Sequence, residues 1–270
     1  MGNGEYVHGY SGREERRLLD QAGSLVELLH HDTAFPAGSE VLEAGCGVGA
    51  QTVTIAASSP GARIHSIDIS PQSLAAAEER VRRANLSNVT FRQADIFDLP
   101  FPARRFDHVF VCFVLEHLKD PVGALARLRS VLKPGGTITV IEGDHGSTYF
   151  HPDDEDARRA VSCLVELQAR MGGNSLIGRQ LYPVLTEAGF RQVSVSPRMV
   201  YVDGSRPKLI DGFTLKTFTA MVEGVREPAL AAGLMDEASW ERGIAGLTRT
   251  AAADGVFCYT FFKARALSPA

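Results

Sequence analysis

The chain has 270 residues, of which 44% are hydrophobic and 22% are charged, and its formal net charge at pH 7 is -4. This composition is typical of a globular protein with a sizeable core. The small excess of negative charge and the lack of a dense Lys/Arg run argue against nucleic acid and anionic membranes as partners.

The cysteines and the N-terminal residues indicate the compartment. Cys46, Cys112, Cys163 and Cys258 lie far apart and form no CxxC pair, which predicts neither a zinc site nor a disulfide framework. The N-terminal residues are polar and charged, and no window approaches about 18 uninterrupted apolar residues. We therefore expect a soluble, cytoplasmic protein.

The first half of the chain alternates strands with helices. Ser11 and Glu14 have the spacing of a capping box, which predicts a leading helix through Leu29. The expected strands cover residues 40–44, 63–68, 89–94, 106–113 and 137–142, and the expected helices cover residues 49–57, 71–84 and 121–132. This alternation implies a parallel, doubly wound sheet that binds its ligand beyond the carboxyl ends of the strands.

The pattern loosens after Glu142. Residues 144–156 are rich in His, Asp, Gly and Ser, and we interpret them as an insertion over the mouth of the site. Beyond them we expect helices over 155–171, 178–188 and most of 207–253, and strands over 191–202 and 256–263. No linker is evident, so we predict a single domain over 1–270, with a core of residues 36–143, 178–202 and 255–264 and a helical cap of residues 1–34, 144–177 and 203–254.

A glycine-rich turn joins the first strand to the first helix and reads Glu43-Ala44-Gly45-Cys46-Gly47-Val48-Gly49. Glycines allow the backbone to approach a ligand closely, and the helix N-terminus offers free N–H donors to its polar groups. Gly45, Gly47 and Ala50 also satisfy a dinucleotide fingerprint, so NAD is an alternative ligand.

Three carboxylates lie at or near the ends of strands beside this turn. Asp68 closes the second strand, a position from which a carboxylate binds ribose hydroxyls in either kind of ligand. Glu43 is poorly suited to a pyrophosphate but suits a cationic ligand or an ammonium group. Asp95 closes the third strand, where it could accept a hydrogen bond from an adenine amino group. Glu43 thus favours a cationic ligand over NAD.

Five pieces of sequence carry a family resemblance. They are Glu43-x-Gly-Cys-Gly-x-Gly, Asp68, Ala94-Asp95, Phe113-Val114-Leu115-Glu116-His117-Leu118 and Leu132-Lys133-Pro134-Gly135-Gly136. In this order and spacing they resemble the class I S-adenosylmethionine-dependent methyltransferases, most firmly over residues 36–143. The resemblance implies a Rossmann-like α/β fold with a seven-stranded sheet, parallel except for an antiparallel last strand over 256–263. It also implies an enzyme with S-adenosylmethionine as its cofactor.

The resemblance assigns cofactor contacts residue by residue. It implies that Gly45, Gly47 and Gly49 line the methionine part of the cofactor and that Asp68 binds the ribose. It further implies that Ile69 covers the adenine face and that Asp95 with Ile96 meets the adenine edge. Tyr6 or Tyr10, with Tyr10 preferred, would meet the cofactor's carboxylate, and Glu43 and Phe113 complete the expected cofactor-binding set.

Catalysis needs little from the protein, because this cofactor carries its own activated leaving group. The chain must align a nucleophile with the methyl carbon and exclude water, and it needs a base only where the nucleophile holds a proton. Glu116 and His117 follow the fourth strand, where relatives bring substrate to the methyl group, so both are candidate catalytic residues. The alternative is that they order the loop and the neighbouring helix.

The acceptor is less defined. Acidic charge and ordinary apolar content favour a small, partly apolar acceptor, which we expect to be a specialised metabolite and which includes electron-rich aromatic compounds such as indoles. The sequence leaves open whether oxygen, nitrogen or carbon is methylated, and it leaves the oligomeric state open. A metal site at Asp144, His145, His151, Asp153 and Asp154 is an alternative, but we interpret these residues as a solvated lid loop and expect no metal. Two rival hypotheses are an NAD-dependent oxidoreductase and a non-catalytic S-adenosylmethionine-binding protein.

Overall fold

The protein is built around a seven-stranded sheet. The structure is a computed structural model that describes residues 25–269. Its strands are β1 (Glu40–Ala44), β2 (Arg63–Asp68), β3 (Val89–Gln93), β4 (Phe106–Cys112), β5 (Leu132–His151), β6 (Arg191–Val202) and β7 (Val256–Leu267). Their order in the sheet is β3-β2-β1-β4-β5-β7-β6. The predicted doubly wound α/β fold is confirmed.

Helices connect the strands. Residues 25–30 are helical (α1), and the further α-helices are α2 (Ala50–Ser58), α3 (Pro71–Arg83), α4 (Pro121–Val131), α5 (Glu155–Arg170), α6 (Leu181–Glu187), α7 (Pro207–Leu209), α8 (Ala220–Glu223), α9 (Arg226–Ala231) and α10 (Glu237–Arg249). Short 3-10 helices cover Leu115–His117 and Ile177–Gln180, and a π-helix covers Ile210–Thr219. Among the described residues, no helix has the length and apolar character needed to cross a bilayer.

The first strands run parallel and end at one edge of the sheet. Ala44, the last residue of β1, is paired with Ile67 of β2 on one side and with Val111 of β4 on the other. β1 thus lies between the second and fourth strands of the chain, so the crossovers leave it in opposite directions. This is the switch point at which doubly wound sheets bind their ligands. It brings the loops after β1, β2 and β4 together.

The last strand, β7, is antiparallel to β5. The N–H of Ser268 donates to Gly136 O (2.8 Å), and the N–H of Thr260 donates to Ser147 Oγ (2.9 Å). Residue numbers therefore rise along β5 as they fall along β7. The antiparallel last strand expected over 256–263 is confirmed, and it extends to Leu267.

The chain divides into two compact units. The core unit consists of residues 28–142, 177–197 and 262–269 of the described chain, and the second unit consists of residues 25–27, 143–176 and 198–261. In the core unit β4 is largely buried, since Phe106, Val109, Phe110 and Val111 have no exposed surface. An apolar strand of this kind is typical of a sheet covered on both faces. The single-domain assignment stays a prediction.

The second unit has its own aromatic core. Phe218 of the π-helix lies 4.9 Å from Phe257 and 5.6 Å from Tyr259, measured between ring centroids. Close approach of α5 and α10 depends on glycine, because a Cβ on Gly243 would lie 2.6 Å from Asp156 O. The π-helix itself has a side-chain signature, since the Thr217 hydroxyl donates to the carbonyl five residues earlier.

Two expectations about this part of the chain are wrong. The fifth strand was expected to end at residue 142, but it continues to His151 because its second half also meets β7. Asp144 and His145, expected in a solvated lid loop, therefore lie in a strand and are buried. The hydroxyl group of Tyr259 bonds to His145 Nδ1 at 2.8 Å, which gives the imidazole a partner inside the second unit.

Candidate functional site

The turn after β1 depends on left-handed backbone at all three of its glycines. The φ angles are 75° at Gly45, 51° at Gly47 and 77° at Gly49, values that residues with a Cβ rarely adopt. Space is a second constraint, because a Cβ on Gly45 would lie 2.5 Å from Val114 Cγ2 and one on Gly49 would lie 2.9 Å from Ala77 Cα. A Cβ on Gly47 would meet nothing within 4 Å. The turn is thus an open cradle at Gly47 and closely packed on either side.

Helix α2 begins directly after this cradle. Its N-cap residue, Gly49, provides no side-chain cap, and no acidic residue lies in the first turn. N–H donors at a helix start are normally satisfied by a side chain, water or a ligand. The first turn of α2 is therefore suited to the carboxylate of a bound ligand.

Asp68 connects the end of β2 to the cradle. Its Oδ2 accepts the N–H of Gly47 at 2.8 Å, and its Oδ1 accepts the N–H of Ser70 at 2.9 Å. A carboxylate oxygen can accept more than one hydrogen bond, so both atoms keep acceptor capacity. Asp68 is thereby fixed beside the turn, where hydroxyl groups of a ligand can reach it.

The residues expected to hold adenine lie at the neighbouring strand ends. Ile69 follows β2 and is 60% exposed, which is high for a large apolar side chain. Asp95 follows β3 and is exposed, and its Oδ1 accepts the N–H of Phe97 at 2.9 Å. Ile96 is buried, whereas Phe97 is 40% exposed. Phe97 is an apolar surface that the sequence did not flag, although it directly follows the Asp95-Ile96 pair.

Glu43 has a more internal position than the sequence indicated. Its side chain is buried, and its Oε2 accepts hydrogen bonds from Ser66 Oγ at 2.6 Å and from Thr52 Oγ1 at 2.8 Å. Burial raises the pKa of Glu43 to about 7, and the nearby charge of Asp68 adds to the increase. These two hydrogen bonds connect β1 to β2 and to α2 beneath the cradle. Contact of Glu43 with a cationic ligand stays a prediction.

The loop after β4 carries the two candidate catalytic residues. Phe113 has a φ of 58°, an uncommon value for a residue with a side chain, and the short helix Leu115–His117 follows it. Glu116 Oε1 lies 3.5 Å from His117 Nε2, and their side chains are 13% and 25% exposed. The two groups therefore form a partly buried pair in the loop.

Sequence reasoning missed Glu142, which lies on β5 beside this loop. It has no exposed surface, and its Oε1 accepts the N–H groups of Val114 at 2.9 Å and Leu115 at 2.8 Å. Burial and the charge of Glu116 raise the pKa of Glu142 well above the usual range. The sequence signal was an acidic residue at the end of the apolar run 137–142.

Three acidic side chains lie within electrostatic range of Cys112, the last residue of β4. Burial raises the pKa of the Cys112 thiol, and the charges of Glu142, Glu43 and Glu116 raise it further. The loops after β1 and β4 are therefore electrostatically in reach of one another. Tyr6 and Tyr10, expected near the cofactor's carboxylate, lie outside the described residues. Within residues 25–269, no group of three or more His, Cys, Asp or Glu side chains is arranged to hold a metal ion.

Comparisons with known proteins agree with this geometry. Residues 42–140 match the family described as methyltransferase domain. An uncharacterized 37.1 kDa protein of transposon Tn4556 from Streptomyces fradiae is 35% identical over 197 residues, which are 72% of this chain and 55% of that protein. Demethylmenaquinone methyltransferase of Tropheryma whipplei is 40% identical over 116 residues, which are 43% of this chain and 46% of that enzyme. The chain thus spans about half the length of these curated relatives.

A solved structure shares the fold. Phosphoethanolamine N-methyltransferase 2 of Haemonchus contortus, in complex with S-adenosylhomocysteine, superposes with a TM-score of 0.56 at 20% identity. The match covers 93% of this chain and 53% of that one. The sheet order, with the glycine cradle at its switch point, is that of a Rossmann-like fold. Residues 42–140 thus match a methyltransferase domain, within a chain that shares the fold of a solved S-adenosylhomocysteine-bound methyltransferase.

Proposed function

We propose that this protein transfers the methyl group of S-adenosylmethionine to a small-molecule acceptor. The observation that carries the proposal is the cradle after β1, which has three left-handed glycines and is bonded to Asp68 inside a matched methyltransferase domain. A Cβ at Gly47 would project into the open space that a ligand needs. The residues present therefore fit the cofactor that this family uses.

The expected cofactor contacts follow the strand ends. Gly45, Gly47 and Gly49 bind the methionine part, whose carboxylate suits the uncapped first turn of α2. Asp68 accepts hydrogen bonds from the ribose hydroxyls, Ile69 covers the adenine, and Asp95 with Ile96 binds its edge. Phe113, Glu43 and Tyr10 belong to the same proposal. Ile69 supports it in particular, because an isoleucine that is 60% exposed offers an apolar face for a nucleobase.

When bound, S-adenosylmethionine would supply a methyl group activated by a positively charged sulfur, with a neutral thioether as the leaving group. The chain's own residues then orient the acceptor and remove its proton. Glu116 is the proposed base, since its carboxylate is partly buried and is paired with His117 at 3.5 Å. His117 orients Glu116 or receives the proton itself. A poised acid-base pair at the rim of a ligand site is typical of such chemistry.

We propose a small acceptor of partly apolar character that belongs to specialised metabolism. The matched relatives named demethylmenaquinone methyltransferases support a small aromatic acceptor over a macromolecule. The formal net charge of -4 also disfavours nucleic acid. An electron-rich aromatic compound, such as a quinol or an indole, is the class to test first. The cytoplasmic location stays a prediction.

Calorimetry with S-adenosylhomocysteine tests the cofactor site. We expect Asp68→Asn to weaken binding by about 10- to 100-fold, since hydrogen bonds to charged groups contribute about 1.5–3 kcal/mol. Asp95→Ala should weaken it by about 10-fold, at the low end of the same range. Asp98→Ala is the matched control, because Asp98 pairs with Asp95 only through the backbone and has no assigned ligand contact. Stronger binding of NAD than of S-adenosylhomocysteine would overturn the assignment.

Methyl transfer to a panel of quinols, indoles, phenols and amines tests the activity. We expect transfer to at least one aromatic acceptor, and Glu116→Gln should reduce kcat while the affinity for S-adenosylhomocysteine is retained. Unchanged turnover would remove Glu116 from the mechanism. Binding of the cofactor without transfer to any acceptor would favour the non-catalytic alternative. Glu79→Gln is a surface control, since Glu79 lies on α3 and pairs with Arg82 and Arg83.

A further inference from the structure

Three consecutive N–H groups after β4 are held by two consecutive residues of β5. Phe113 donates to the carbonyl of Ile141 at 2.9 Å, and Val114 and Leu115 donate to Glu142 Oε1 at 2.9 and 2.8 Å. We call these three hydrogen bonds the β5 clamp. The residues they fix directly precede the Glu116-His117 pair. We propose that Glu142 is a positioning residue that sets the conformation of the loop carrying this pair, an inference that rests on the proposed function.

The loop needs such a constraint because its backbone is strained. Phe113 has a φ of 58°, and a residue with a side chain keeps this conformation only where surrounding contacts enforce it. The 3-10 helix that follows has three residues, too few to be stable alone, and no side-chain cap of its own. The contacts that enforce the loop must therefore come from outside it. Glu142 supplies two of them from a strand that is fixed in the sheet.

Glu142 acts best in its neutral form. Its Oε1 receives both loop N–H groups, whereas its Oε2 is buried and has no hydrogen-bond partner among the described residues. A carboxylate with one unsolvated oxygen is costly, and the nearby Glu116 adds repulsion. A proton on Oε2 removes both penalties and leaves Oε1 to accept the two bonds. Glutamine has the same shape and the same carbonyl acceptor, so Glu142→Gln should preserve the clamp.

The test compares an amide with an apolar side chain at this position. Glu142→Gln retains the acceptor, Glu142→Leu removes it at similar volume, and Thr139→Val is the matched control, because Thr139 is a buried polar residue of the same strand. Amide hydrogen exchange at Val114 and Leu115 reports the clamp directly. Rates of methyl transfer and affinity for S-adenosylhomocysteine report its consequence.

We expect slow exchange at both amides in the wild type, in Glu142→Gln and in the control, and faster exchange in Glu142→Leu. In Glu142→Leu kcat should fall on the order of 10- to 100-fold, as misplacement of reacting groups does, while cofactor affinity is retained. Glu142→Gln should restore kcat, which a general loss of stability does not predict. Wild-type kcat in Glu142→Leu, or a Glu142→Gln variant as impaired as Glu142→Leu, would overturn the proposal.

Two features keep the outcome decisive. If Glu142→Leu does not fold, the wild-type protein still decides the clamp, since exchange at Val114 and Leu115 as fast as in an open loop would refute it. If no methyl transfer is found in the wild type, the proposed function fails, whereas the exchange measurements still decide whether Glu142 fixes the loop. Failure of the positioning role and failure of the proposed function are therefore distinguishable.

Discussion

Substitution of Gly45 tests why the turn after β1 requires glycine. An alanine there keeps a left-handed φ of 75°, which costs about 1–2 kcal/mol for a residue with a Cβ. Its Cβ would also lie 2.5 Å from Val114 Cγ2, and overpacking of this kind costs about 1–3 kcal/mol. We therefore expect Gly45→Ala to lower the free energy of unfolding by about 2–5 kcal/mol.

A second substitution separates the two contributions. Val114→Ala removes both γ carbons and leaves the Val114 Cβ at 3.4 Å from the new side chain, an ordinary contact. The double variant should recover the overpacking part, about 1–3 kcal/mol, and retain the backbone strain. Thermal unfolding measures this as a recovery of several degrees, since about 1 kcal/mol corresponds to about 2–4 °C in a chain of this size. Additive effects of the two substitutions would show that Val114 does not constrain Gly45.

Two further predictions concern buried groups. Gly143→Ala should lower the free energy of unfolding by about 1–3 kcal/mol in the wild type, because its Cβ would lie 2.2 Å from Tyr259 Oη and 3.3 Å from Cζ. In a Tyr259→Phe background the loss should be small, and equal shifts in the melting temperature in both backgrounds would contradict this. Glu43 has its pKa raised from 4.5 to about 7, so the stability from its protonated form is complete below pH 4.5 and is lost as pH rises through 7. Urea unfolding should show that the free energy of unfolding of the wild type falls by about 3 kcal/mol, relative to Glu43→Gln, as pH rises through this range. Parallel pH dependences of the two proteins would refute the raised pKa of Glu43.

The sequence was sufficient for the parts of the fold that follow from local pattern. The bounds 40–44, 63–68 and 191–202 predicted for β1, β2 and β6 are those of the structure. Short apolar runs bounded by glycine, proline or a cap are readable without knowledge of neighbours. The second half of β5 is different, because Gly143 to His151 is polar and is ordered by pairing with a strand more than 100 residues away. The π-helix has no sequence period from which to predict it.

In the candidate site, too, the features that follow from local sequence pattern could be predicted, and the long-range contacts could not. The cradle and Asp68 were identifiable because each lies at the end of a strand whose limits the sequence shows. Their direct bond at 2.8 Å adds a contact that spacing alone did not give. Glu43 lies next to the turn as expected, but its Oε2 accepts hydrogen bonds from two hydroxyl groups of the protein. Its partners Thr52 and Ser66 were not distinguishable from ordinary helix and strand residues.

Glu142 shows why the remaining part of the site required the structure. Its bonding partners are 28 and 27 positions away in the sequence, and they are backbone N–H groups, which every residue except proline has. No residue type at 114 or 115 signals this contact. The strained backbone at Phe113 could not be predicted from the sequence either, because phenylalanine does not indicate a left-handed backbone conformation. A loop whose conformation is imposed by a neighbouring strand leaves its signal on that strand, as one acidic residue in an otherwise apolar run. Buried acidic residues at the ends of parallel strands are therefore the positions to examine first when a reactive loop has no capping residues of its own.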